Sequence, residues 1–217
     1  MTITIFLADD HPLLLDGLEL VLSREPDLKV IGRAANGREL VNLVAKRQPD
    51  VVITDITMPE LNGIEATRQI RELYPRVRVI VLSIHDTMHH VMWSLEAGAD
   101  GYLLKGSAGQ EVVQAVRVVY RGQRYLSHRV AAMMGENELT PRQAPIVMNP
   151  LQRLSQRERE VLQLVAEGHT NAKIAVELNL SPKSIATYRR RVMDKLDLDD
   201  TTDLIKFALQ NKITPSH

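Results

Sequence analysis

The chain of 217 residues contains no cysteine, which excludes disulfide staples and thiolate metal sites. No stretch approaches the ~20 apolar residues of a membrane-spanning helix. The amino terminus enters a β pattern at once, with no basic segment leading into an apolar one, so a soluble cytoplasmic protein is expected. Charge of neither sign is in excess, since 27 Lys and Arg balance 27 Asp and Glu. Divided, the chain is slightly uneven: residues 1–126 carry 14 basic and 16 acidic side chains, and residues 151–217 carry 11 and 9. That asymmetry agrees with a metal site followed by a nucleic-acid binder without establishing either. Internal repeats and low-complexity tracts are absent as well. What is present, 44% hydrophobic residues in 217, suffices for one domain of ordinary size and a smaller second one.

Asp55 carries the most information. It stands where the hydrophobic run Val51 to Thr54 passes into Asp55-Ile56-Thr57-Met58-Pro59, a pattern that predicts a buried strand with an exposed carboxylate at its end. Other β-runs end alike: Thr2 to Ala8 in Asp9-Asp10, Arg78 to Leu82 in Ser83, and Gly101 to Leu104 in Lys105. In a parallel α/β sheet the ligand crevice lies outside the carboxyl ends of the strands, so these five polar side chains are expected to converge.

Three acids, a hydroxyl and a lysine suit a divalent cation beside a phosphoryl group. Mg2+ takes oxygen ligands and retains waters, which predicts Asp10 and Asp55 as direct ligands and Asp9 through water. Asp55 is also the candidate nucleophile, because carboxylates form acyl phosphates and a cation lessens repulsion as phosphorus approaches. Lys105 would pair with phosphoryl oxygens as a point charge, and Ser83 would donate a hydrogen bond to another.

Strand patterns near 2–8, 28–33, 50–54, 78–82 and 101–104 alternate with amphipathic helical patterns near 12–23, 37–47, 64–73, 87–97 and 108–121. Five βα units predict a doubly wound, five-stranded parallel sheet with helices on both faces. Residues 127–150 lose periodicity and contain Pro141, Pro145 and Pro150, which reads as a linker, although Ser127 to Met134 can form a short helix. Residues 151–217 are helical throughout. Ser155 and Glu158 form a capping box, and Gly168 stops the helix they open. Thr170 caps a second helix, Asn179-Leu180 turns, and Ser181 with Pro182 starts a third. Two short helices across a tight turn make a helix-turn-helix, followed by a fourth helix over Thr201 to Asn211.

At ~100° per residue, the third helix places Ile185, Val192 and Leu196 on one side and Lys183, Thr187, Arg190, Arg191 and Asp194 on the other. A cationic outer face suits a DNA groove. It equally describes an ordinary solvated helix, and the helix alone leaves both readings standing.

The motifs together resemble a known family. Residues 1–126 are similar to the receiver domain of two-component response regulators in Asp9-Asp10, Asp55 to Pro59 followed by Asn62-Gly63, Ser83, and Ala99 to Lys105. Residues 151–212 resemble the LuxR-type (NarL/FixJ-type) four-helix DNA-binding domain. The match runs through Leu154-Ser155, Arg157 to Leu162, Glu167-Gly168, Asn171, Ile174-Ala175, Leu180-Ser181 and Lys195-Leu196. The resemblance implies a flavodoxin-like receiver in which the backbone carbonyl of Thr57 completes the Mg2+ site and Tyr102 changes rotamer with phosphorylation. It also implies that Thr57 and His85 tune acyl-phosphate lifetime. A sensor histidine kinase would donate the phosphoryl group; promoter DNA and a homodimer on two half-sites would follow, and the chain would not be a turnover enzyme. The third helix would be the recognition helix and the fourth a dimer contact. Two departures limit the carry-over. Ile185-Ala186-Thr187-Tyr188 replaces a common valine-lysine-x-histidine pattern, so Lys183, Ser184, Thr187, Tyr188, Arg190 and Arg191 are candidates chosen on this sequence alone. Thr201 stands where relatives often carry an arginine, which bears on the dimer contact.

Other features have plainer readings. His85, His89 and His90 have helical spacing but lack the companions of a zinc set. Met88, Met92 and Trp93 suit packing or a partner surface. An aspartate-nucleophile phosphohydrolase shares the acidic site, yet lacks here the second acid two residues beyond Asp55. A DNA-binding regulator that ignores phosphate leaves the five-residue site without a purpose.

Overall fold

A computed structural model describes residues 2–84, 87–136 and 149–214. Strands β1 (Ile3–Ala8), β2 (Leu28–Ala34), β3 (Val51–Asp55), β4 (Arg78–Ser83), β5 (Gly101–Leu104) and β6 (Tyr125–Leu126) form one parallel sheet in the order β2-β1-β3-β4-β5-β6. The expected count of five is corrected to six. β6 is only two residues long, too short to show a period, and it pairs Tyr125 with Gly101 and Leu126 with Tyr102 after a turn through Gly122 at φ 82°.

The central strands are apolar on both faces because helices cover both. One face of the sheet packs Ile5, Leu7 and Ile53 against helices α1 (Pro12–Ser23) and α5 (Ala108–Tyr120) through Leu18, Leu22, Val112 and Val116. The other packs Phe6, Val52 and Val79 against α2 (Gly37–Lys46) and α3 (Gly63–Leu73) through Leu40, Val44, Ala66 and Ile70. Beside α4 (Met88–Glu96), Ile56, Val81, Val91 and Tyr102 form a further apolar cluster. The residues read as the start of a linker belong to that cluster: α6 (His128–Glu136) buries Val130 in it. The remainder of the expected linker, residues 137–148, lies outside the described residues.

The carboxyl-terminal part is all-α. Helix α7 (Gln156–Ala166) opens with the reciprocal Ser155–Glu158 capping box. Helix α8 (Asn171–Leu178) is capped by Thr170 and ends at Asn179, whose φ of 54° turns the chain. Helix α9 (Pro182–Leu196) begins with Ser181 as cap and Pro182 in its first turn, where a missing N–H costs nothing. Helix α10 (Thr201–Gln210) is capped by Asp200. Leu162, Leu164, Ile174, Leu178, Ile185, Val192 and Leu204 make its core. Each side chain of that size stabilises by roughly 1.5–3 kcal/mol when fully buried.

Candidate phosphoacceptor site and nucleic-acid surface

In sheet order β2-β1-β3, the strand sequence reverses direction at β1, so the ends of β1 and β3 border the crevice where doubly wound sheets bind ligands. Asp9 and Asp10 follow β1, Asp55 closes β3, Ser83 closes β4 and Lys105 follows β5. Ligand atoms of Asp9, Asp10, Asp55 and His11 lie within 4.8 Å of one another. The Lys105 ammonium bridges two of the acids, with Nζ 2.7 Å from Asp9 Oδ2 and 2.8 Å from Asp55 Oδ2. The Lys105 amide donates to the Ser83 carbonyl at 2.7 Å, which ties the ends of β4 and β5 together. Ser83 and Tyr102 are both fully buried, Tyr102 in the cluster that contains Ile56.

Asp55 was expected to be exposed and is not: it is 4% accessible, and Asp9 is 1%. The next helix packs close to the Asp55 backbone. Gly63 opens α3 directly over the strand end, where a Cβ would stand 1.7 Å from the Asp55 carbonyl oxygen. Its amide donates to Ile56 O at 2.8 Å. The Ile56 amide in turn donates to Asp55 Oδ1 at 2.7 Å. Burial, with the Asp9 charge adding to it, raises the Asp55 carboxyl to about 6, against the pull of Lys105. For Lys105, burial opposes the charge, but Asp55 and Asp9 outweigh it and hold the ammonium above the ordinary lysine range.

Sequence reasoning missed His11. Its Nδ1 lies 2.9 Å from Asp9 Oδ1 and 2.7 Å from Asp10 Oδ1, and the hydrogen bond to Asp9 together with the Asp10 charge raises its pKa. Adjacency to the acidic pair was the available signal. The donor set fits a hard divalent cation: three carboxylates within reach of one another, with Lys105 and His11 offsetting their charge. Thr57 is half-buried in the loop after β3. His85 lies outside the described residues. His90 is buried with its Nδ1 2.7 Å from Thr87 Oγ1, and both His89 and His90 lie against the Trp93 ring.

On α9, Ile185 and Val192 are buried while Lys183, Thr187, Arg190 and Arg191 are exposed; Ser184 and Tyr188 are half-buried. The Arg191 guanidinium carbon lies 6.0 Å from the Tyr188 ring centroid. Arg190 pairs with Asp194 one turn on at 2.9 Å. Arg189, which carried no role in the sequence reading, braces the fold instead, donating to Asn171 Oδ1 and Thr201 Oγ1 at 2.7 and 2.9 Å. Thr201 thus holds α10 to α9. No helix among the described residues is long and apolar enough to cross a membrane.

The family described as response regulator receiver domain matches residues 5–117, and that described as bacterial regulatory proteins, luxR family, matches residues 152–208. The transcriptional regulatory protein DegU of Brevibacillus brevis is 35% identical over 221 residues, covering 96% of this chain and 94% of its own. The response regulator UvrY of Escherichia coli (strain K12) is 35% identical over 209 residues with the same coverage. Among solved structures, the complex of the two-component response regulator RcsB with DNA aligns at a TM-score of 0.59 and 26% identity, over 97% of this chain and 99% of that one.

Proposed function

The chain belongs to the response regulators that join a receiver domain to a LuxR-type DNA-binding domain, and from that premise we propose that phosphorylation of Asp55 by a sensor histidine kinase controls its dimerisation and its binding to promoter DNA. We take residues 1–126 as the phosphoacceptor unit and 151–217 as the DNA-binding unit, joined through 127–150. One observation carries the reading: the Asp55 carboxylate stands at the sheet's carboxyl edge, 2.8 Å from Lys105 Nζ and beside Asp9 and Asp10.

Asp55 Oδ attacks phosphorus, the bond from phosphorus to the donor's leaving group breaks, and an acyl phosphate forms. Asp10 and Asp55 would hold Mg2+ directly, Asp9 through water, and the Thr57 carbonyl would complete the set. Bound Mg2+ supplies charge neutralisation for the phosphoryl oxygens. Lys105, shared between Asp9 and Asp55 before reaction, exchanges a carboxylate for the phosphoryl group. Ser83 donates to another phosphoryl oxygen, and Tyr102 beside Ile56 carries the change toward the face of α4 and α5. Thr57 and His85 set the rate at which water reaches the acyl phosphate. The switch acts by biasing an existing equilibrium between domain arrangements. Two-fold related copies then place two α9 helices about one DNA turn apart, with Lys183, Ser184, Thr187, Tyr188, Arg190 and Arg191 toward the groove.

Incubation with Mg2+ and a small phosphodonor, followed by intact mass and DNA-binding measurement, tests the reading. The expected result is one added phosphoryl group, absent in Asp55→Asn, together with tighter DNA binding. Label of equal extent on the Asp55→Asn chain overturns the assignment.

A further inference from the structure

The DNA-binding part does not stand apart from the receiver. Along α7, residues 156, 160, 163 and 167 are spaced by four, three and four, which places them in one stripe. That stripe faces the loop after β3 and helix α3. Gln163 is the centre of it: its Nε2 donates to the Met58 carbonyl at 2.9 Å, and its Oε1 accepts from the Asn62 amide at 2.8 Å and from Asn62 Nδ2 at 3.1 Å. One turn later the Glu167 carboxylate accepts from the Glu60 amide, with oxygens at 3.1 and 3.2 Å. Gln163 Nε2 also donates to Glu167 Oε1 at 2.8 Å, which joins the two side chains into one unit. Arg159 pairs in two hydrogen bonds with the buried Glu65 of α3, and Gln69 donates to Glu160.

On the loop itself, Gln163 and Glu167 reach mainly backbone groups. The loop residues 56–62 make the turn between Asp55 and α3 with Glu60 at φ 63°, a left-handed conformation that a glutamate adopts only when neighbouring contacts hold it. Three of the loop's peptide groups, those at Met58, Glu60 and Asn62, are fixed by two side chains from a different domain. The peptide of Thr57 lies between the Ile56 carbonyl, which accepts from Gly63, and the Met58 carbonyl held by Gln163. Meanwhile the exposed face of α9 takes no part in the contact: Lys183, Thr187 and Arg191 remain open to solvent.

We propose that Gln163 and Glu167, carried by the DNA-binding domain, are positioning residues for the phosphoacceptor loop, holding its backbone in the arrangement from which it binds the cation. The proposal rests on the reading of Asp55 as the phosphoacceptor beside a Mg2+ site. A loop already ordered loses less freedom on binding, so docking of α7 strengthens cation binding, and by linkage the cation strengthens docking to the same extent. The contacts that Gln163 and Glu167 make with the loop are polar, as suits two domains that must also separate. Since the α9 face stays open, docking here acts on the loop and does not cover the DNA surface.

The test uses the full chain and Mg2+ alone, titrated by calorimetry, with amide hydrogen exchange at Glu60 and Asn62 as a readout independent of activity. Gln163→Leu and Glu167→Ala are each expected to weaken Mg2+ binding by more than twofold and to speed exchange at those two amides. Glu167→Gln keeps an acceptor for the Glu60 amide and should stay within twofold of wild type. Glu167 is only half-buried, so its variants retain a folded chain even where Gln163→Leu does not. Mg2+ affinity of Glu167→Ala within twofold of wild type, or tighter, overturns the positioning role, as does unchanged exchange. A wild-type chain that neither binds Mg2+ nor takes a phosphoryl group overturns the Asp55 reading itself, and the proposal with it.

Discussion

The two functional surfaces spend their charges in opposite ways. Around Asp55 every charged group is committed to another: Lys105 bridges two acids, His11 leans on two, and burial has moved Asp55 to about 6. On the outer face of α9, Lys183, Arg190 and Arg191 are open, and the contacts Arg190 and Arg191 make are of the kind that contributes little, a one-turn ion pair and a ring contact at the edge of its range. Chemistry at the first surface is set inside the protein by desolvation and mutual charge. Binding at the second waits for an external polyanion, and its strength depends on salt. A substitution should therefore have large, pH-dependent effects at the first surface and modest, salt-dependent ones at the second.

The sharpest way to break that contrast is Asp55→Asn, which removes the proposed nucleophile. Stable phosphoryl labelling should vanish while DNA binding of the unmodified chain persists; intact mass and a binding titration on one sample check both. Next in size is the proton on Asp55. Its folded pKa, about 6, exceeds the ordinary 3.8, so between those values the native chain binds more protons than the unfolded one. The contribution of Asp55 to the stability of the metal-free protein should then be full below about pH 4 and fall as pH rises through 6, by about 3 kcal/mol in total. Denaturant unfolding in chelator at pH 4.5 and 7.5 measures it, and Asp55→Asn should flatten the slope. A slope of opposite sign would show that Lys105 and not burial governs the site. Lys105→Ala, which strands two buried carboxylates, should cost on the order of 3 kcal/mol at pH 8 and less at pH 5. The variant should accept label yet fail to couple it to DNA binding.

Much of this was legible because it is local. Strand ends, the Ser155 capping box, and Ser181 with Pro182 each depend on a few neighbouring residues, and the structure places them where the periodicity does. The burial of Asp55 was not legible, since the groups gathered on its carboxylate come from far along the chain, among them a lysine fifty residues away. Strand β6 was too short to claim, whereas α6 falls where a short helix over Ser127 to Met134 was allowed. The docking of α7 left one trace: Gln163 interrupts the apolar run Val161-Leu162-Leu164-Val165. A helical turn apolar nearly all round is covered on more than one side, and a polar residue within it calls for a partner beyond its own domain.

On the second surface the largest expected effect is at Arg191, which shares a side of α9 with Ser184 and Thr187. Its contact with Tyr188 contributes about 0.5–1 kcal/mol at an exposed site and yields readily to DNA. If Arg191 meets guanine in a bidentate pair, Arg191→Ala should cost about 1–3 kcal/mol and relax one position of the operator. If it meets only phosphate, binding should weaken alike on every sequence and the salt slope should flatten by about one ion. Matched and single-substituted operators at two salt concentrations separate these outcomes, and no loss on either would remove Arg191 from the interface.

The smallest effect sharpens the comparison most directly. Arg190 and Asp194 form an ion pair 77% and 58% exposed at their side chains, so water and salt leave it little net strength, about 0.3–0.5 kcal/mol for a pair one turn apart. Asp194→Ala should change unfolding by no more than that. Its effect on DNA should have the opposite sign, because it removes a negative charge from the face proposed to meet phosphates and frees Arg190 to meet one. Affinity should rise by roughly twofold at low salt and return to wild type above about 0.3 M, where charges more than a few ångströms apart are screened. The same substitution at a committed pair such as Lys105 with Asp9 could not give a gain. Weaker DNA binding by Asp194→Ala would show instead that the acid holds Arg190 in its binding rotamer, and the open surface would then share the internal commitment of the buried one.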